Sequence, residues 1–251
     1  MDIISQIDLT ASQWLIAAMC GVFIGLTKTG VTGLGMLNVV LLAAIFGGKP
    51  STGMLLPMLC FADIFAVKYY HRHAEWKYIL RLLPSAVVGI LIAVYVGDVI
   101  NTDQFNNLLG IVVLSGVAII AWREFKPVDE KIPDYRWFSM LMGVLGGFTT
   151  MIGNAAGPVI AIYLLSMRLP KNSYIGTGAW FFMIVNLVKV PFHVFVWETI
   201  NLHSLSFNLL MTPFIALGAI AGILLIKKVP ERVYRLFIIA VTSIAAVKLL
   251  M

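Results

Sequence analysis

Lys189 stands near the middle of an apolar run, IGTGAWFFMIVNLVKVPFHVF, where an ionisable side chain is costly and marks a candidate functional site. On a helix, Asn186 one turn before it and His193 one turn after it share its face, and Pro191 bends the helix between them. Thr177 and Gly178, earlier on the same segment, are candidates to line a pathway. Asp63, in MLCFADIFAVKYY, is the acidic residue deepest in its apolar surroundings. It is a candidate partner for Lys189, a candidate carrier of a coupled proton, or a solvated group near a helix end. His193 titrates near neutrality when unperturbed and joins Asp63 as a proton-coupling candidate, the alternative being a structural histidine.

Two further polar clusters interrupt apolar sequence. The first, GLTKTGVTGLGMLN, carries Thr27, Lys28, Thr29, Gly30, Thr32, Gly33, Gly35 and Asn38. The second, GGFTTMIGNAAGP, carries Thr149, Thr150, Gly153, Asn154, Gly157 and Pro158. Irregular backbone survives in a membrane only where protein or water satisfies its amides. A break leading into a helix N-terminus presents N–H groups and positive partial charge, which suits an anion. Hydroxyls and amides add donors, and Lys28 adds a full charge unless it snorkels to an interface. The competing reading of the glycines and threonines is close helix packing.

The elements that must position these groups are apolar. The hydrophobic fraction is 60%, charged residues are 12% and mean hydropathy is +0.95, whereas a soluble domain carries about 25% charged residues. The net charge of +6 lies in short loops between apolar runs, which argues for a membrane protein and against a nucleic-acid partner. Spans are predicted near 52–70, 78–96, 104–122, 173–196, 204–226 and 232–250, with longer broken runs at 11–46 and 137–167. Cys20 and Cys60 sit in apolar stretches and read as packing residues. His71 and His73 read as interfacial, without metal-ligand spacing, and Trp76, Trp122, Trp137 and Trp197 as interface anchors. The N-terminus lacks the basic region of a cleaved signal peptide.

The chain also repeats itself. At one constant offset Gly21/Gly143, Val22/Val144, Gly25/Gly147, Thr27/Thr149, Gly35/Gly157, Leu42/Leu164, Lys49/Lys171 and Ser51/Ser173 coincide; Pro84/Pro213 and Gly89/Gly218 follow at a slightly larger one. A first repeat over 1–122, a cytoplasmic linker over 123–136 and a second repeat over 137–251 follow from this. If each broken run crosses once, the basic residues divide evenly between the two faces. If each is a hairpin, nearly all gather on one face, while Asp2, Asp8, Lys49, Asp98, Asp103, Glu198 and Lys248 stay on the other. The positive-inside bias selects the hairpins. The expected fold is therefore an all-α polytopic membrane protein of two inverted repeats, each a broken helical hairpin plus three transmembrane helices, with both termini periplasmic or extracellular. Whether the hairpins are re-entrant or fully spanning stays open.

The glycines Gly21, Gly25, Gly30, Gly33 and Gly35, their weaker echo in the second half, the short Lys/Pro loops and the GTG…N..K segment around Thr177, Asn186 and Lys189 resemble the TauE/SafE sulfite exporter family, also called the toluene-sulfonate uptake permease family. The resemblance runs from about residue 14 to 250. It implies a carrier of the cell inner membrane for sulfite, thiosulfate, sulfonates or sulfoacetate, and carries the anion-site role onto Lys28, Thr29, Asn154, Thr177, Asn186 and Lys189. The full substrate-binding set read from the chain adds Gly30, Gly33, Asn38, Thr149, Thr150 and Gly153. The second hairpin has Asn154-Ala155-Ala156 where the first is glycine-rich, so the two are not equivalent in chemistry.

The expected function is secondary transport of a small sulfur-containing or organic anion by alternating access, with the proton gradient as a candidate driver. No cofactor and no metal are expected; the partners are the anion and the bilayer, with homo-oligomerisation open. A cation or metal transporter or channel is the rival, but such a pathway wants carboxylates within the bilayer, where Asp63 stands against two lysines. An intramembrane enzyme is the remoter rival, for no Ser/His/Asp arrangement or His cluster is present. No P-loop motif is present either.

Overall fold

The computed structural model describes residues 9–28, 34–125 and 135–225 and, within 239–247, all but 241 and 245. These residues form helices α1 (Ala11–Lys28), α2 (Leu34–Phe46), α3 (Gly48–Tyr70), α4 (Trp76–Val99), α5 (Thr102–Phe125), α6 (Arg136–Gly153), α7 (Gly157–Ser166), α8 (Lys171–Phe195) and α9 (Leu202–Leu225), with a short 3-10 turn at His71–His73 and helical turns within 239–247. No strand occurs among the described residues. Five helices are long and apolar enough to cross a membrane, and they match the predicted spans except the last, 232–250, which lies largely outside the described residues. Of the predicted linker, Phe125 still belongs to α5 and Arg136 already opens α6.

Both broken runs fold back as hairpins. Phe23 and Leu26 of α1 pack against Leu34 and Leu37 of α2, which a continuous helix would carry apart. In the second run the Phe138 and Tyr163 rings lie 6.1 Å apart and Ser139 reaches the Tyr163 hydroxyl at 3.4 Å, so the start of α6 meets the end of α7. The arms are unequal. The 18 residues of α6 rise about 27 Å, but the 10 residues of α7 rise only about 15 Å, half of a hydrocarbon core.

Polarity is turned outside in. Leu80, Leu209, Leu217, Tyr95 and Ile220 are exposed, whereas Asn38, Asp63, Thr150, Asn186, Lys189 and His193 are buried. A bilayer rewards that distribution and water penalises it. Pro57, Pro84, Pro191 and Pro213 all lie inside helices, as membrane helices tolerate. The tryptophan reading needs one correction. Trp76, Trp122 and Trp137 are exposed, but Trp197 is buried, donating from Nε1 to the Val94 carbonyl at 3.3 Å. Its ring fills the space over Gly97, where a side chain on α4 would collide with it. An amphipathic ring at a span end prefers the interface only when no glycine slot is open beside it.

The most extensive pairings are α1 with α9 and α4 with α6, so the N-terminal and C-terminal halves interlock and do not stand side by side. Small residues set both seams. A Cβ on Gly89 of α4 would meet the Val144 carbonyl of α6, and a Cβ on Gly218 of α9 would meet the Val22 carbonyl of α1. Gly143 and Gly147 admit Ser85 and Ala86, as Gly21 and Gly25 admit Phe214 and Ile215. Between the seams α3 and α8 run antiparallel. Gly53, near the start of α3, abuts Thr199 just beyond α8, while Gly176, near the start of α8, abuts Tyr70 and Ala74 at the end of α3.

Overpacking at a backbone-to-backbone contact costs on the order of 1–3 kcal/mol or more. Gly89→Leu and Gly218→Leu are each expected to lower the melting temperature in detergent clearly. Gly35→Ala and Gly157→Ala, where an added Cβ meets nothing within 4 Å, are expected to leave it within a degree or two (surface changes are typically worth about 0.5 kcal/mol). Equal losses in both pairs would contradict the close-packed seams.

Candidate functional site

The break between α6 and α7 is built by Asn154. Its backbone is left-handed, with φ 52°, and its N–H caps α6 by donating to the Thr150 carbonyl at 2.9 Å. Asparagine tolerates this conformation better than most residues. Ala155 and Ala156 follow, and Pro158 opens α7 at its first turn, where a missing N–H is harmless. Two half-helix ends thus meet head to tail inside the protein. The carbonyl end of α6 carries negative partial charge and the amide end of α7 positive.

Lys189 of α8 addresses the carbonyl end. Its ammonium is fully buried and donates to the Thr150 carbonyl and the Thr150 hydroxyl, each at 3.0 Å, and to Asn154 Oδ1 at 2.5 Å. Each charge-assisted bond of this kind contributes about 1.5–3 kcal/mol. The other side of the Asn154 amide donates from Nδ2 to the Thr52 carbonyl of α3 at 3.3 Å, so one side chain ties the break to both α3 and α8. One turn back on α8, Asn186 donates from Nδ2 to Asp63 Oδ2 of α3 at 2.7 Å, with both residues buried. Asp63, a candidate partner for Lys189 in the sequence, is thus tied to the same face of α8 through Asn186.

The amide end of α7 is open. No side chain caps it at Ala156, and an added Cβ on Gly157 meets nothing within 4 Å. The first N–H groups of a helix have no intrahelical acceptor, so those of Gly157 and Val159 remain available. Among the described residues, a Cβ on Gly35 at the start of α2 likewise meets nothing within 4 Å. Three residues on, Asn38 is buried, and neither its Oδ1 nor its Nδ2 has a hydrogen-bond partner. The starts of α2 and α7 converge on α5, for a Cβ on Gly116 would meet both Met36 and Pro158. Orphaned buried amides are rare, and here the orphan lies in the second turn of α2.

The remaining candidates fall elsewhere. Thr149 bonds back to the Leu145 carbonyl at 2.8 Å, and Gly153 packs on Leu109 at the end of α6. Thr177 is buried but accepts from the Glu75 N–H at 3.0 Å, bridging to the start of α4 about 18 Å along α8 from Lys189. Lys28 ends α1, and nothing is described of its side chain; Thr29, Gly30 and Gly33 lie outside the described residues. His193 is buried, with Nδ1 against Thr199 Oγ1 at 2.8 Å and Nε2 without a partner. The Thr52 contact leaves no mark in the sequence, because its acceptor is a backbone carbonyl that any residue could supply. Cys20 is buried, and neither cysteine forms a disulfide among the described residues.

A comparison with curated proteins finds no match. The sequence model of the family described as Sulfite exporter TauE/SafE matches residues 17–249, which take in both hairpins, α3, α8 and the interlocking seams. With nearly the whole chain covered, this protein belongs to the TauE/SafE sulfite exporter family, a family of membrane transporters.

Proposed function

We propose that the protein is a secondary transporter of a small sulfur-containing or organic anion, of the sulfite, thiosulfate, sulfonate or sulfoacetate class, and that the anion binds at the α6–α7 break. The observation that carries this reading is the fully buried Lys189 ammonium held at the α6–α7 break by Thr150 and Asn154, with α7 starting uncapped by any described side chain three residues on, at Gly157. Lys189 supplies the charge, and the Gly157 and Val159 N–H groups supply fixed donors in a water-poor setting where they act strongly. Asn38 contributes amide donors from the other hairpin. A desolvated oxyanion needs several converging donors and one countercharge, and these groups provide both. Thr150 and Asn154 hold the lysine while the site is empty. An arriving anion accepts from the same ammonium, which loosens the tie between α8 and the break. Binding is thereby linked to movement of α8, the linkage alternating access requires.

The inverted-repeat reading draws support from the same packing. The residues that coincide in sequence, Val22/Val144 and Gly89/Gly218, occupy the two seams reciprocally, and α3 and α8 run antiparallel. An arrangement of two halves related by a two-fold axis in the membrane plane has those properties. It assigns both termini to the outer face of the cell inner membrane and the 123–136 segment to the cytoplasm. Asp63, tied to Asn186 beside Lys189, is the group placed to couple proton movement to the lysine.

In proteoliposomes of the purified protein, saturable uptake of labelled sulfite or thiosulfate is expected, and it should fall to background in Lys189→Ala. Removing one partner from a buried charged network costs about 3–5 kcal/mol, so folding is checked by size exclusion and melting temperature. Lys28→Ala, on the other hairpin, provides a second variant. Folded protein with unchanged flux in both variants would rule out the assigned site. Independently, single cysteines at Glu198 and Arg123 should label from opposite faces of the membrane; labelling from one face would refute the topology.

A further inference from the structure

The polar face of α8 does not stop at Lys189. Asn186, Lys189, His193 and, just past the helix end, Trp197 form one buried stripe. At its far end the stripe meets the start of α3. Lys49 lies in the first turn of α3, its Nζ 5.2 Å from the Trp197 ring centroid. That ring in turn stands edge-on to His193 at 5.1 Å. His193 lies within electrostatic reach of both lysines, Lys189 on one side and Lys49 on the other. Its Nε2 is buried and has no hydrogen-bond partner.

Lys49 is poorly placed for stability alone. A cation in the first turn of a helix opposes the helix dipole. Its carboxylate neighbour, Asp98 at the end of α4, is 4.0 Å away, and the two side chains are 27% and 57% exposed. An ion pair of that length and exposure contributes little. At this helix start the Gly48 N–H is taken by Asn106 Oδ1 at 3.1 Å and Pro50 has none, so the lysine ammonium is the source of positive charge where water reaches the protein. Inward from there the buried stripe runs to the unpartnered His193 nitrogen and on to Lys189.

We propose that Lys49 and His193 Nε2 form a second anion subsite, at the mouth of the pathway, which receives the small oxyanion on the Asp98 face before it passes to Lys189. The proposal rests on the anion-carrier reading above. In this arrangement the Trp197 ring is the wall between mouth and centre, held by the Val94 carbonyl and the Gly97 slot. Asp98 is a competitor for Lys49: it occupies the ammonium in the empty state and gives way to the incoming anion.

Competition makes the test directional. Flux of labelled sulfite and of thiosulfate is measured in proteoliposomes, with each anion offered on the face that bears Asp98 and, separately, on the opposite face. Lys49→Gln should raise KM about five- to tenfold on the Asp98 face, the effect of losing one partly screened charge, with kcat and the opposite-face KM little changed. Lys49→Arg should restore the lower KM. Asp98→Asn should lower KM about twofold on the same face, because the lysine is freed. If Lys49 served only the fold, both neutralising variants would shift the melting temperature together and leave the KM values alone. Flux in the unaltered protein with KM unmoved by Lys49→Gln, or moved in the same direction by Asp98→Asn, overturns the subsite and leaves the carrier intact. No saturable flux of either anion in the unaltered protein overturns the carrier reading and the subsite with it.

Discussion

A lysine ammonium with no exposure to solvent is the constraint around which the centre of this protein is arranged. Moving such a charge out of water costs several kcal/mol even after relaxation, and the cost is recovered only through complete hydrogen bonding. Lys189 meets that demand at the end of α6, where the helix dipole is negative and Thr150 and Asn154 supply oxygen acceptors. The Thr150 carbonyl, which also accepts the Asn154 N–H at 2.9 Å, takes the ammonium as a second donor, and the turn at Asn154 brings an amide oxygen in beside it. The break and the lysine thus account for each other, and the αL backbone of Asn154 is the local feature that lets both exist.

Around this centre the glycine seams decide which rearrangements are cheap. α1 is joined to α9 and α4 to α6 by contacts in which carbonyl oxygens sit where side chains would otherwise be. Pulling the N-terminal half away from the C-terminal half as a block would open both seams at once. The interface between α3 and α8 is different in kind. It holds polar links, Asn186 to Asp63 and Asn154 to Thr52, and such bonds exchange partners with water or ligand at little net cost. Rearrangement is therefore least costly where the polar groups lie.

Much of this was legible in the sequence, and for identifiable reasons. Apolar runs of spanning length fix helices without ambiguity, and the charge distribution chose hairpins over single crossings before any contact was known. Lys189 and Asn186 stood out because ionisable and amide side chains have few reasons to be in an apolar helix. What stayed hidden depends on which partner arrives from elsewhere in the chain. Thr177 has the composition of a pathway residue yet serves the start of α4 through the Glu75 N–H. Trp197 has the position of an interface anchor yet is drawn inward by the slot at Gly97. Asn38 is readable as polar, but that its amide is buried without a hydrogen-bond partner among the described residues is a property of its packing.

The two halves also differ where it matters for charge. Thr150, which accepts from Lys189, coincides in sequence with Lys28, so the first half puts a lysine on the hairpin where the second half puts an acceptor. Conversely, Asp63 and Asn186, the residues that join α3 to α8, are an acid in one half and an amide in the other. Under the inverted-repeat reading, exchanging the conformations of the halves would turn one access state into the other, but it would not reproduce the same arrangement of charges. The anion would meet different countercharges from the two faces, and its affinities there would differ. That difference cannot set the direction of net transport, which follows the gradients. It decides at which face the site is saturated, and hence the concentration range over which the carrier works as an exporter or an importer.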